Sequence, residues 1–469
     1  MPRQVRHPQN QGVSGGWGLA EVCRWLGIVA IVLLCSCGPK QPPDPQQSVV
    51  LTTTALLDNE YLGTEREYIR AFTRETGIAV RIIPNRESDV DQLEAYRHWF
   101  GERSPVPDVL RLDVIWPGLL ADDLTDLKAL LGEQAELYSL ELIRSGTAHG
   151  RLVGLPLEND VGLLYYRSDL LAEYGFAGPP RTWAELERMA KSIQAGERRK
   201  GNAAFWGYVW EGAAYEGLTC NAMEWLGVEG GGRIIEEDGR IMVNNPAAEE
   251  AWARASRWVG SISPPAVIEY TEEDATNMFD AGNAAFMRNW SYSQSADVHS
   301  RSRKMVTTLP RGGVIGGDKV GISRYSRHPQ EAAGYIRFIT GRPMQLMRAR
   351  MFLGLVTTPS LQFDSAAEDL AHIPHPIRAM PRDSFARPSS VAGQNYDRLS
   401  RSYFLAVHSV LMREKTAAQA LALLEKELSE IPGLRLPVQH VKRPVQRPIT
   451  NTVVLSGDAL QHSTLPSAR

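Results

Sequence analysis

An α/β architecture spread over more than one domain is the fold class this sequence predicts. Three observations carry it. Short apolar, β-branched runs at 49–54, 78–83 and 109–115 alternate with a helical pattern at 65–76. That alternation is the signature of a parallel sheet with helices on both faces. A second α/β region opens after Gly154-Leu155-Pro156, where a strand pattern at 161–167 is followed by a helical one from Trp183. Finally, the 469 residues exceed what one hydrophobic core serves.

In chain order, the first segment is a leader. Arg3, Arg6 and Arg24 precede an apolar run at 26–34, and Leu34-Cys35-Ser36-Cys37-Gly38 follows. A basic stretch, an apolar stretch and a small residue before the cut describe a secretory signal. The run is too short for a membrane span of roughly 20 residues. Leu34 to Cys37 resembles the lipobox of bacterial lipoproteins. That resemblance implies a signal at 1–36, a diacylated Cys37 as the mature N-terminus, and attachment to a membrane from the extracytoplasmic side. Residues 37–47 are polar and proline-rich, an extended linker.

The body then begins with the strand at 49–54. In the helix at 65–76, Tyr68, Ile69 and Phe72 share one face and Gly77 stops it. The strand at 109–115 is apolar except for Arg111 and Asp113. Thr182-Trp183-Ala184-Glu185 reads as a capping box, with Thr182 capping and Glu185 reaching back. Further helical patterns lie at 247–259, 329–339, 403–411 and 417–428. Residues 433–469 form a proline-containing tail whose only acid is Asp458, read as disordered.

Composition excludes several classes. A net charge of −3 leaves no basic excess for nucleic acid, which needs clustered Lys and Arg. Cys23 and Cys35 fall in the leader and Cys37 is spoken for, so Cys220 is the only thiol of the body and no internal disulfide is expected. No zinc spacing, dinucleotide-binding glycine motif or Walker-type loop occurs. Neither metal nor cofactor is expected. Eleven tryptophans are an unexplained abundance.

Several segments resemble one family, the extracellular solute-binding proteins of sugar ABC transporters (family 1), and within it the trehalose/maltose-binding lipoprotein branch. They are Pro107-Asp108-Val109-Leu110-Arg111-Leu112-Asp113, Gly162-Leu163-Leu164-Tyr165-Tyr166-Arg167-Ser168-Asp169, Trp206-Gly207-Tyr208-Val209-Trp210, Gly282-Asn283-Ala284-Ala285-Phe286-Met287-Arg288-Asn289-Trp290, Gly316-Gly317, and Ala386-Arg387-Pro388. The resemblance implies the two-lobed periplasmic-binding-protein fold of type II, with the ligand in a hinged cleft between lobes. Lobe 1 takes 48–157 and 318–357, and lobe 2 takes 162–313 and 361–432. It implies no catalysis, a sugar ligand such as trehalose or another α-glucoside, delivery to ABC transporter permease subunits, and a monomer.

A sugar offers apolar ring faces to aromatic side chains and hydroxyls to carboxylates, amides and guanidinium groups. Asp113, an acid in an apolar strand, is expected at the strand's end, and the family places its matching Asp in the sugar site. Of Glu158-Asn159-Asp160, at the expected lobe crossing, Asn159 and Asp160 are favoured because alternating side chains cannot all face the cleft. Trp290 and Tyr292 alternate, which puts both on one face of an extended segment. The family uses the matching Trp as a stacking plate. Arg387 matches a family Arg that reaches a sugar hydroxyl, and Gly317, Glu216, Glu60 and Asp89 complete the implied set. One departure stands out: Asp318 and Lys319 follow Gly317 where that branch often has an aromatic. Two other classes compete. A glycosidase needs two carboxylates about 5–10 Å apart across the bond, and no motif demands them. A glycerophosphodiester or polyamine binder would use different charges.

Overall fold

The computed structural model describes residues 49–57, 61–86, 88–227, 233–294, 304–350 and 383–437. The leader, Cys37, the linker, Glu60 and the tail beyond 437 lie outside the described residues.

Twelve strands are described: β1 Val50–Thr54, β2 Ala79–Ile83, β3 Val109–Asp113, β4 Thr147–Ala148, β5 Arg151–Leu152, β6 Leu155–Pro156, β7 Asp160–Arg167, β8 Trp206–Val209, β9 Ala284–Trp290, β10 Lys304–Thr308, β11 Ile315–Gly316 and β12 Asp318–Ile322. They build two sheets and a small hairpin of β4 and β5. The first sheet has the order β2-β1-β3-β12-β6, and the second β10-β7-β9-β8 with β11 pairing the start of β7. Each sheet is the centre of one lobe.

The expected parallel sheet is only half realised. β1 runs parallel to β2 and β3, but β12 is antiparallel to both β3 and β6. Parallel neighbours need a crossover connection. β12 instead follows directly on β11, which is paired in the other lobe, and so enters the first sheet from the opposite end. In the second sheet β7 is antiparallel to β9 and β10, and only β8 runs parallel to β9.

Helices follow the apolar periodicity, some with longer ends than the sequence suggests. The helix Leu62–Thr76 buries Tyr68, Ile69 and Phe72, and Gly77 closes it at φ 76°. Trp183–Arg199 is capped by Thr182, whose hydroxyl accepts from the Glu185 amide at 3.1 Å. The Glu185 carboxylate reaches one residue further back than expected, to the Arg181 amide at 2.7 Å. The helix expected at 403–411 begins already at Tyr396 and runs to Leu411.

The tryptophans have a packing role. Trp210, Trp225 and Trp258 lie edge to face in the second lobe, with centroids 5.1 and 6.1 Å apart, and Trp183 joins Trp258 at 5.7 Å. Such T-shaped pairs add to the area they bury. Cys220 is buried in the same core.

Glu65 is fully buried at the end of β1 and accepts from the Leu56 amide at 3.0 Å. Burial pushes its pKa up from 4.5 to about 7, against the opposing pull of the Leu56 and Leu57 amides and of Arg111 and Arg348. The folded chain therefore holds this proton more tightly than the unfolded chain. The resulting stabilisation is complete below the unfolded value and is lost as pH rises toward 7. The urea midpoint is expected to fall between pH 4.5 and 7. Glu65→Gln flattens part of that slope, and an unchanged slope in the variant contradicts the assignment.

Among the described residues, two chain crossings tie the lobes together. Leu157 and Glu158 donate their amides to the Asp318 carbonyl at 2.9 and 3.1 Å, and Val114 donates to the Gly317 carbonyl at 3.1 Å. Phe385 joins the bundle, its carbonyl accepting from Ile315 at 2.9 Å. Polar strand ends and hinge segments therefore converge in one place.

Candidate functional site

The site begins at the C-terminal end of β3. Asp113 is the strand's last residue, as the sequence suggested, and stands in register with Asp318 on β12. Its Oδ1 accepts from the Ile115 amide at 3.0 Å and lies 3.9 Å from the Arg387 guanidinium. Burial raises the Asp113 pKa, while Arg387 and the Ile115 amide hold it down. Two residues earlier on the same strand face, Arg111 pairs with Asp318 at 2.7 Å. Arg111, Asp113 and Asp318 line a cavity of about 390 Å³ together with Asp89, Gln92, Tyr96 and Trp116. Asp89 thus reaches this cavity from the start of the helix Asp89–Gly101. Lys319 does not line it. Strand alternation turns Lys319 into the interior, where its Nζ has no partner and burial pulls its pKa down to about 7.

The crossing Glu158-Asn159-Asp160 divides its side chains. Asp160 Oδ1 accepts from the amides of Val161 at 2.8 Å and Ser291 at 2.7 Å, and from the Ser291 hydroxyl. Burial pushes its pKa up to about 6 against these donors. Asp160 is therefore a brace between β7 and the turn after β9. Asn159 is fully buried, and neither its Oδ1 nor its Nδ2 has a partner. Glu158, which the sequence reading did not favour, is half-buried. Burial raises its pKa first and Asp318 second, with Arg111 and Arg348 opposing.

Trp290 and Tyr292 do not share a strand face. β9 ends at Trp290 and Ser291–Gln294 forms a 3-10 turn, which breaks the alternation. The two aromatics consequently occupy opposite environments. Trp290 is only 8% exposed, its ring rests 4.2 Å from the Arg288 guanidinium, and its Nε1 donates to Glu272 Oε1 at 3.2 Å. Tyr292 is 43% exposed. Burial raises its hydroxyl pKa, with Glu272 and Asp160 adding to the effect. Tyr215 donates to the other oxygen of Glu272 at 2.5 Å, so Glu272 gathers Trp290 and Tyr215 around one carboxylate. Gly316 packs on the Trp290 ring: a Cβ there would stand 2.8 Å from it. Gly317 has φ 85°, and a Cβ would come within 2.6 Å of the Glu158 carbonyl.

Arg387 is 7% exposed and spans two acids, donating to Glu216 Oε1 at 2.9 Å and lying 3.9 Å from Asp113. Glu216 also accepts from Tyr396 at 2.5 Å and Ser400 at 2.6 Å, so it anchors Arg387 from the start of the helix Glu216–Leu226.

The structure thus links Asp113, Arg387 and Glu216, places Asp89 with Asp113, and joins Asp160, Trp290 and Gly317 at the crossing. Arg111, Tyr215, Glu272 and Arg288 were not read as site residues. Arg111 was findable, being two residues from Asp113 on one strand. Glu272 was not, since it looks like an ordinary first-turn acid. Behind Trp290, Arg288 is fixed by Glu224 at 2.7 and 2.6 Å and by Glu211 at 3.2 Å. Among the described residues no group of three His, Cys, Asp or Glu is placed to hold a metal ion. The cavity at Asp113 offers hydroxyl acceptors and a guanidinium donor, and Tyr292 offers an exposed aromatic ring at the end of β9.

Several known proteins are similar to this chain. A family model described as bacterial extracellular solute-binding protein matches residues 59–346. A probable ABC transporter-binding protein of Deinococcus radiodurans is 37% identical over 375 residues, covering 77% of this chain and 89% of that protein. A maltooligosaccharide ABC transporter solute-binding lipoprotein of Streptococcus pneumoniae is 28% identical over 189 residues, 38% of this chain and 42% of that one. Among solved structures, maltose-bound MalE3 of T. maritima superimposes with a TM-score of 0.71 at 32% identity, covering 81% of this chain and 99% of that one.

Proposed function

The chain belongs to the bacterial extracellular solute-binding protein family, and from that premise we propose that it captures a neutral di- or oligosaccharide for an ABC importer. The ligand is an α-linked glucoside of the maltose or trehalose type, passed to the permease subunits. The single observation that supports this reading best is the cavity where Asp113 and the Arg111–Asp318 pair meet beside the crossing. Its acids and guanidinium groups suit hydroxyls, which both donate and accept. The names of the two maltose-type relatives point the same way. Lobe 1 takes 48–157 with 318–357 and lobe 2 takes 162–313 with 361–432, closing on the sugar. The acyl chains on Cys37 hold the protein to the membrane from the extracytoplasmic side, with residues 37–47 as tether. Cys37→Ser is expected to move the protein to the soluble fraction; retention in the membrane fraction refutes the anchor.

Calorimetric titration with maltose, maltotriose and trehalose, against glycerophosphocholine and spermidine, tests the ligand class. Binding to a sugar supports the proposal, with or without binding to the phosphodiester, and binding only to the phosphodiester or polyamine overturns it. The aromatic wall gives a sharper expectation. Tyr292→Ala weakens sugar binding by about 1–2 kcal/mol, the size of a lost aromatic contact, with little change in melting temperature. Trp290→Ala lowers both, because its ring is nearly buried. If Tyr292→Ala leaves the affinity unchanged, Tyr292 is not a plate.

A further inference from the structure

A second cavity, of about 830 Å³, has the electrostatics of an anion site. It is lined by Arg144, Arg181, Arg233, Arg254, Arg311 and Arg387. Only Glu141, Glu237 and Asp383 oppose them among its described lining residues. It lies between residues 141–145 and residues 181–184, 223–227, 233–254 and 383–391, and shares no lining residue with the cavity at Asp113.

Two of its arginines carry orphaned donors. Arg387 uses its terminal nitrogens on Glu216 and Asp113, yet its Nε is buried and has no partner, in a residue only 7% exposed. Arg254 donates a terminal N–H to the Trp225 carbonyl at 3.2 Å, and its Nε is likewise buried and unpaired. A buried donor left unsatisfied costs free energy that a ligand can recover. Burial, then Arg311 and Arg257 against the opposing pull of Glu250, pushes Arg254 below the ordinary arginine value. Like charges are thus held together with fewer acids than guanidinium groups around them. Arg233 has Glu236 at 3.4 Å. Arg144, Arg181, Arg254 and Arg311 form no ion pair with any described residue. The N-terminus of the helix Trp183–Arg199 opens on the same space, adding its dipole.

We propose that this cavity is a second ligand site, and that it takes a soluble phosphate-type oxyanion, free or carried on a small molecule. The planar forks of Arg254 and Arg311 grip its oxygens in the bidentate manner guanidinium groups favour.

The test is calorimetry and thermal melting of the full chain titrated with inorganic phosphate at constant ionic strength, with sodium chloride as the matched salt. A saturable heat and a melting shift with phosphate alone are expected. Arg311→Gln, at an exposed position that leaves the fold intact, is expected to weaken phosphate binding about tenfold, the worth of one charge-assisted contact. Arg254→Gln weakens it further. An equal response to phosphate and chloride overturns the proposal, as does a phosphate affinity unmoved by Arg311→Gln. Sedimentation with phosphatidylglycerol vesicles without any response to free phosphate overturns the soluble ligand and marks the patch as a lipid contact.

Discussion

Arg288→Ala is expected to cost about 3–5 kcal/mol of folding stability, the price of leaving buried carboxylates without their cation. The Arg288, Glu211 and Glu224 side chains are each no more than 1% exposed. Arg288 grips Glu224 through two bonds, and burial already pushes Glu211 up to about 7 even with Arg288 opposing it. Glu224 also accepts the Val314 amide at 3.0 Å, just before the crossing at Gly316–Asp318. Loss of the guanidinium therefore loosens both the floor under Trp290 and the segment leading to the hinge. Urea unfolding measures it. Adding Glu211→Gln and Glu224→Gln to an Arg288→Met chain restores much of the loss, because no charge is then stranded. A single-variant cost below about 1 kcal/mol, the worth of an exposed pair, contradicts the account.

Gly317→Val carries the second large effect. The position has φ 85°, which an L side chain rarely adopts, and its Cβ would stand 2.6 Å from the Glu158 carbonyl and 2.9 Å from the Asp160 amide. The backbone conformation alone costs about 1–3 kcal/mol, with β-branching at the upper end. The clash adds to it, and neither neighbour can yield, because both are backbone of the other crossing. Sugar binding and melting temperature are expected to fall together. Gly317→Ala shows the same signs more weakly. A Gly317→Val chain with native melting temperature and affinity shows that the crossing can shift freely.

What the sequence made legible was local. Asp113 could be read as a strand-end acid because a carboxylate in an apolar run has few other places to be. The face of Tyr68, Ile69 and Phe72 followed from helical spacing, and Gly77 from its freedom at positive φ. The misreadings came from information that lies elsewhere in the chain. Strand direction in the first sheet depends on the route by which β12 returns. Trp290 and Tyr292 were placed on one face because nothing in Asn289-Trp290-Ser291-Tyr292 marks the strand's end. Asp160 fastens Ser291 from a distant part of the chain, so its bracing role has no local signature. Arg288 sits in the middle of an apolar strand, and only its two distant glutamates explain it.

The position of β12 between β3 and β6 has a consequence for how the chain reaches this state. While the polypeptide is being made, β1, β2 and β3 can align early, but the strand that seals them is supplied far later. Until then β3 presents an open row of amides and carbonyls, and β6 has nothing to pair with. Such an edge is a template for another copy of itself. Pairings between strands about 200 residues apart are also slow to form. A nascent or truncated polypeptide ending before Asp318 is therefore the species most exposed to aggregation, and a chaperone that shields the β3 edge would act at that stage.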